Sequence, residues 1–124
     1  MLLKDFYKVL SLEKKEHRYE ALIRVNEKHE VFLGHFPGNP VMPGVCMMQI
    51  IKELVESITE NTLFMQSLSN VKFMALINPD ITPELRLELE IITTEEDLIK
   101  VKNTTFFNET TALKLSCVYK KTSP

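Results

Sequence analysis

His35 sits in a segment, residues 34–44, that reads GHFPGNPVMPG and contains every glycine of the chain and three of its six prolines. Glycine reaches backbone angles closed to other residues, while proline fixes its own φ and drives the residue before it toward extended conformations. The segment is therefore shaped to a single path, which suits a loop that must hold one side chain still. An imidazole, with an unperturbed pKa of about 6.5, accepts or gives a proton near neutral pH, so His35 is a candidate base. The alternative is a structural histidine satisfied by backbone groups; the shaped loop favours chemistry. Gly44 and Val45 follow at the start of a helix-length segment. There the first backbone N–H groups lack internal partners and the helix dipole is positive. Such donors stabilise a carbonyl oxygen that gains negative charge, and glycine at 44 keeps a side chain out of its way. An ordinary glycine at a helix start is the plainer explanation of Gly44 taken alone.

The elements that would position these groups follow from periodicity. Segment 45–59 is the helix, and its first two turns (Val45, Cys46, Met47, Met48, Ile50, Ile51) are apolar almost all round, so it must be enclosed. Apolar residues alternate at Tyr19, Ala21, Ile23 and Val25, at Val71, Phe73, Ala75 and Ile77, at Leu85, Leu87, Leu89 and Ile91, and at Leu113, Leu115, Cys117 and Tyr119. Each set predicts a half-buried strand, with a further strand over 99–107. The short polar turns at Glu95, Glu96 and Asp97 and at Asn108 and Glu109 predict antiparallel hairpins. Residues 2–10, with Leu3, Phe6, Tyr7 and Leu10 at helical spacing, predict a short amphipathic helix across an edge. An antiparallel sheet with a face to cover and a helix that needs covering give an α+β domain, the sheet curled around one long central helix, over residues 1–124.

The run from His35 to Val45, HFPGNPVMPGV, closely resembles the active-site segment of the 3-hydroxyacyl-[acyl-carrier-protein] dehydratases, the FabA/FabZ family. A weaker similarity continues through the helix and into VKFMALINP at 71–79. The resemblance implies the hot-dog fold, a homodimer or a trimer of dimers, and sites at the subunit interface. It implies a substrate carried on the phosphopantetheine of acyl carrier protein, with its acyl chain in a tunnel beside the helix and with no other cofactor and no metal. His35 falls on the family histidine that removes the α-proton, and Gly44, with Val45 beside it, on the amide site for the thioester carbonyl. Phe36 falls within the same substrate-binding segment.

One family residue does not carry over. Fourteen residues after the histidine the family has a helix aspartate or glutamate that helps the β-hydroxyl leave; here that position is Gln49, which cannot supply a proton at a useful pKa. Four residues further, where the family typically has glutamine, stands Glu53. The two residue types are exchanged along one helix face, and a turn of helix separates them by roughly 6 Å along the axis. On one reading Glu53 supplies the acid through a water held by Gln49; on the other it is a solvated helix charge like Lys52 and Glu56. The resemblance therefore leaves three functions open: dehydration of a carrier-bound 3-hydroxyacyl thioester to the trans-2-enoyl product, double-bond migration in an enoyl chain, and a silent subunit that completes a hetero-oligomer with an active paralogue. A thioesterase is a fourth and weaker option, because the helix offers a carboxylate only at Glu53.

Composition narrows the rest. Fifteen lysines and arginines against 17 acidic residues leave a net charge of -2, without the basic excess that a nucleic-acid partner demands. No apolar run approaches the roughly 18 residues that cross a bilayer, and two cysteines in apolar stretches suit a reducing cytoplasm. His17 and His29 stand among charged residues and are expected to face water, and no metal-ligand spacing is present. Cys46 is read as core. Met42, Met47, Met48, Met65 and Met74 are candidates for an adaptable acyl tunnel, with plain core packing as the alternative.

Overall fold

The computed structural model describes residues 5–32, 40–94 and 96–122. These form strands β1 (Tyr7–Lys14) and β2 (Tyr19–Val25), a 3-10 turn at Glu30–Phe32, helix α1 (Gly44–Thr59), and strands β3 (Leu63–Phe73), β4 (Glu84–Thr93), β5 (Leu98–Phe107) and β6 (Thr110–Lys121). All six strands join one antiparallel sheet in the order β1-β2-β4-β5-β6-β3.

Period-two alternation sends one side of each central strand inward. Ala21, Ile23 and Val25, Leu85, Leu87 and Leu89, Ile99 and Val101, and Leu113, Leu115, Cys117 and Tyr119 are buried. They meet a stripe on α1 made of Cys46, Met47, Ile50, Ile51, Leu54 and Val55 in a single apolar cluster. This is the hot-dog arrangement that the resemblance implied. Enclosure of the helix is one-sided, however: Val45 is 74% exposed within the single chain. The helix stops at Glu60, which turns left-handed (φ 56°), and its N–H closes on the Glu56 carbonyl. The β5–β6 turn places Asn108 at φ 53°, a conformation asparagine tolerates better than most residues. Among the described residues no helix is long and apolar enough to cross a membrane.

Two elements differ from the sequence expectation. The helix expected over 2–10 is a strand from Tyr7 onward. Val9, Leu10 and Leu12 stay exposed, and the backbone of β1 pairs with β2 from Tyr7 opposite Val25 to Lys14 opposite Tyr19; ladder hydrogen bonds outweigh a helical spacing that covers barely two turns. The strand expected over Val71 to Ile77 ends at Phe73, and most of β3 lies earlier, in polar sequence. β3 is a sheet edge held by its ladder to β6, interrupted at Met65/Ser67 and Ser69/Lys72, and Leu63 is its one buried residue. A strand with so little buried surface leaves no alternation to read.

Because Ile50 is fully buried on the inner stripe of α1, Ile50→Ala is expected to destabilise the fold by about 2–5 kcal/mol, measured as a lower urea midpoint with an unchanged m-value.

Candidate active site

The helix start is built by Pro43, whose extended backbone (φ -66°, ψ 140°) caps α1 without a side-chain hydrogen bond. Its carbonyl accepts from the amides of Cys46 (3.1 Å) and Met47 (3.3 Å). The amides of Gly44 and Val45 donate to nothing among the described residues. Gly44 borders a cavity of about 540 Å³ lined also by Met42, Met47, Phe73, Met74 and Leu76 among others, a size and apolar character typical of small-molecule sites. Three of the five methionines singled out in the sequence, Met42, Met47 and Met74, line it; Met48 and Met65 pack against the core cluster elsewhere. The loop that enters α1 is tied to the far wall by a bond from the Met42 amide to the Ile77 carbonyl (2.8 Å).

Gly44 is needed for a close approach, although not quite the one its position suggested. A Cβ at 44 would lie 2.7 Å from Cζ of Phe73. The space over this glycine holds the Phe73 ring, Phe73 lines the cavity, and as a whole residue it is 59% exposed.

Gln49 and Glu53 lie elsewhere on the helix. Five residues of α-helix turn Gln49 about 140° from Gly44, and Gln49 does not line the 540 Å³ cavity. Gln49 Nε2 donates directly to Glu53 Oε2 (2.9 Å), so no water stands between the two groups as one sequence reading supposed. The other carboxylate oxygen, Oε1, accepts from the Tyr7 hydroxyl on β1 (2.8 Å). Glu53 is therefore half-buried and doubly bonded, unlike a solvated charge, and Glu56 is likewise engaged by the Leu63 amide (2.8 Å). A second cavity of about 440 Å³ adjoins Tyr7, Glu53 and Leu54. Tyr7 was missed as a site residue because it was assigned to a helix; its contact spans 46 positions of sequence and leaves no local signal.

His35 and Phe36, within 33–39, lie outside the described residues. On either side of it, Phe32 is buried and stacks on Phe6 at 5.5 Å, and Met42 is buried. His29 differs from its expectation of facing water. It is half-buried, meets Phe6 edge-on at 5.0 Å, and its Nδ1 accepts from the Val31 amide (3.1 Å). Cys46 is core, and burial pushes its thiol pKa up, away from nucleophilic use. Tyr7 is held well above the usual tyrosine range, first by burial, then by its bond to Glu53 and by that group's negative charge. Tyr119 is raised too, chiefly by burial and then by the neighbouring Cys117; its buried hydroxyl has no geometric hydrogen-bond partner among the described residues.

A curled antiparallel sheet around a helix whose bare N-terminus opens on an apolar cavity defines the hot-dog class, and solved structures agree. A subunit of the dehydratase heterocomplex ApeI:P from Xenorhabdus doucetiae superposes with a TM-score of 0.68 at 20% identity, over 92% of this chain and 97% of its own. A hypothetical thioesterase with coenzyme A from Streptococcus pneumoniae does so with a TM-score of 0.66 at 11% identity, over 94% and 86%. Sequence goes further than fold. The ApeI-like family, described as ApeI dehydratase, matches residues 11–112, and the chain belongs to that family. The 3-hydroxyacyl-[acyl-carrier-protein] dehydratase FabZ of Latilactobacillus sakei is 34% identical over 97 residues, which cover 73% of this chain and 67% of the relative. That of Caulobacter vibrioides is 33% identical over 89 residues, covering 64% and 54%. The chain thus spans somewhat over half of the Caulobacter protein, and 56% of the FabZ from Wolbachia pipientis that it also matches.

Gly44→Ala is expected to lower stability by about 1 kcal/mol or more through overpacking against the Phe73 ring. The same change in a Phe73→Ala background is expected to be close to neutral, a coupling that a double-mutant cycle of unfolding free energies measures. Because the folded protein keeps the Tyr7 and Tyr119 protons to higher pH than the ordinary value of 10.0, the unfolded chain releases them first, so stability falls as pH rises above that value. Thermal unfolding followed from pH 8 to 11 is expected to show this alkaline loss, and Tyr7→Phe is expected to flatten it.

Proposed function

We propose that this protein dehydrates a 3-hydroxyacyl thioester, carried on the phosphopantetheine of acyl carrier protein, to the trans-2-enoyl thioester. The observation that carries the reading is a helix start whose Gly44 and Val45 amides have no partner among the described residues, with Gly44 bordering an apolar cavity of about 540 Å³. The acyl chain lies in that cavity and the thioester oxygen against the two amides. His35 takes the α-proton, charge flows onto the thioester oxygen, and the fixed N–H donors stabilise it. The Cβ–O bond then breaks and the departing hydroxide takes up a proton to leave as water. Gln49 has no proton to give, so on this reading the His35 imidazolium returns the one it took, while Gln49 orients the hydroxyl.

Since Gln49 points away from the cavity of its own chain, the site is completed by a second copy. The edge strand β3 supports such a homodimer: it exposes Phe64, Leu68, Val71 and Phe73 and has one unpaired side among the described residues, and Leu76, 76% exposed, lines the cavity. A second reading has its own support. The family's carboxylate position is Gln49, and both oxygens of the neighbouring Glu53 already accept hydrogen bonds. In that case the partner is a paralogue that supplies the carboxylate, in a hetero-oligomer of the kind that the ApeI:P complex is named for.

Enoyl formation from 3-hydroxyacyl-carrier substrates decides between them. The protein alone is expected to turn over slowly, and His35→Ala to fall by roughly 10²-fold or more. Gln49→Glu sets two carboxylates side by side, which disfavours the charged pair, so the exchange Gln49→Glu/Glu53→Gln is expected to gain more activity than Gln49→Glu alone. Turnover that appears only with a carboxylate-bearing paralogue supports the second reading; none under either condition overturns both.

A further inference from the structure

Position 49 holds a carboxamide where the family has a carboxylate, and the hydrogen bonds around it determine which end of that carboxamide faces out. Glu53 Oε2 accepts from Gln49 Nε2 at 2.9 Å. A carboxylate offers lone pairs and no proton, so it accepts from the NH2 end of an amide and repels the C=O end; chemistry excludes the flipped orientation. Gln49 Oε1 consequently points away from Glu53, and it has no hydrogen-bond partner among the described residues. Glu53 is itself pinned, because the Tyr7 hydroxyl donates to its second oxygen at 2.8 Å from a strand anchored in the β2 ladder. The chain Tyr7→Glu53←Gln49 thus crosses from the sheet edge to the helix and leaves no rotor in it undecided.

We infer that Tyr7 and Glu53 are positioning residues that lock the Gln49 carboxamide with its oxygen outward, so that position 49 reads the substrate's hydroxyl as a hydrogen-bond donor. This rests on the acyl-thioester reading above and deepens it. An outward amide oxygen accepts from a 3-hydroxyl; it gains nothing from a saturated chain and gives no proton to a leaving group. The locked pair makes the protein selective for the hydroxylated thioester at the binding step. Glu53→Gln breaks the lock without removing bulk, since two facing carboxamides can pair either way round.

Two measurements test this. In ¹⁵N spectra of the ligand-free protein, the side-chain amide of Gln49, assigned by its loss in Gln49→Leu, is expected to show shifted resonances and slowed solvent exchange, both relaxing in Glu53→Gln and in Tyr7→Phe. A solvent-like amide in the natural protein, or one unmoved in both variants, overturns the positioning role. The second measurement compares the affinity for a 3-hydroxyacyl pantetheine thioester with that for the saturated acyl thioester of equal length. The natural protein is expected to prefer the hydroxylated ligand roughly three- to tenfold, as one net hydrogen bond allows. Gln49→Leu, Glu53→Gln and Tyr7→Phe are expected to bring the ratio toward one while leaving the saturated ligand's Kd unchanged, a pattern that general loosening of the fold does not produce. Equal affinity of the natural protein for both ligands overturns the reading of the hydroxyl. Binding of neither overturns the acyl-thioester reading together with the hydroxyl's role, while the amide resonances still decide whether Tyr7 and Glu53 hold Gln49.

Discussion

Burial of one helix stripe orients everything else. Cys46, Met47, Ile50, Ile51, Leu54 and Val55 are taken up by the inner face of the sheet, and burial of the five larger ones, at about 1.5–3 kcal/mol each, together outweighs any single polar contact in the molecule. Once that stripe is fixed, the rotation of α1 about its axis is fixed as well. Gly44 must then look toward the Phe73 and Met74 wall, and Gln49 must look outward. Glu53, a turn below, must come within reach of β1. No polar group selected this arrangement; the polar groups use what apolar packing left exposed.

The same rotation divides the chemistry. Gly44 and the apolar cavity lie on one side of α1, and the Gln49 and Glu53 side chains lie about 140° and 180° around the helix from Gly44. On the proposed reading a single chain presents two half-sites, and an association through the β3 edge joins the half-site of one copy to the complementary half of another. Phe73, Met74 and Leu76 line the cavity and are exposed in the single chain, and on the proposed reading a second chain covers them.

The exchange of glutamine and glutamate along the helix has an electrostatic meaning that identity alone does not convey. A half-buried carboxylate needs donors, and Glu53 finds two, a phenol and an amide. Those donors also occupy it. A carboxylate with both oxygens engaged is a fixed acceptor that orders its neighbours, and its value to the site lies in what it does to Gln49.

Much of the fold could be read directly from the order of residues. The alternation through Leu85 to Ile91 and Leu113 to Tyr119, and the apolar start of α1, require a sheet with one covered face and a helix to cover it, because side-chain period and burial are local properties of the backbone. The start of the helix at Gly44 was equally legible. The edges were not. β1 and β3 bury almost nothing and exist because neighbouring strands offer them a ladder, so their residues carry no pattern of their own. The state of Glu53 was hidden for the same reason: whether a carboxylate is a solvated charge or a pinned acceptor depends on Tyr7, 46 residues away. Local sequence determines what a segment can bury; only the closed tertiary structure decides which distant donor arrives beside a given acceptor, because that distance is set by packing of elements whose positions no single segment specifies.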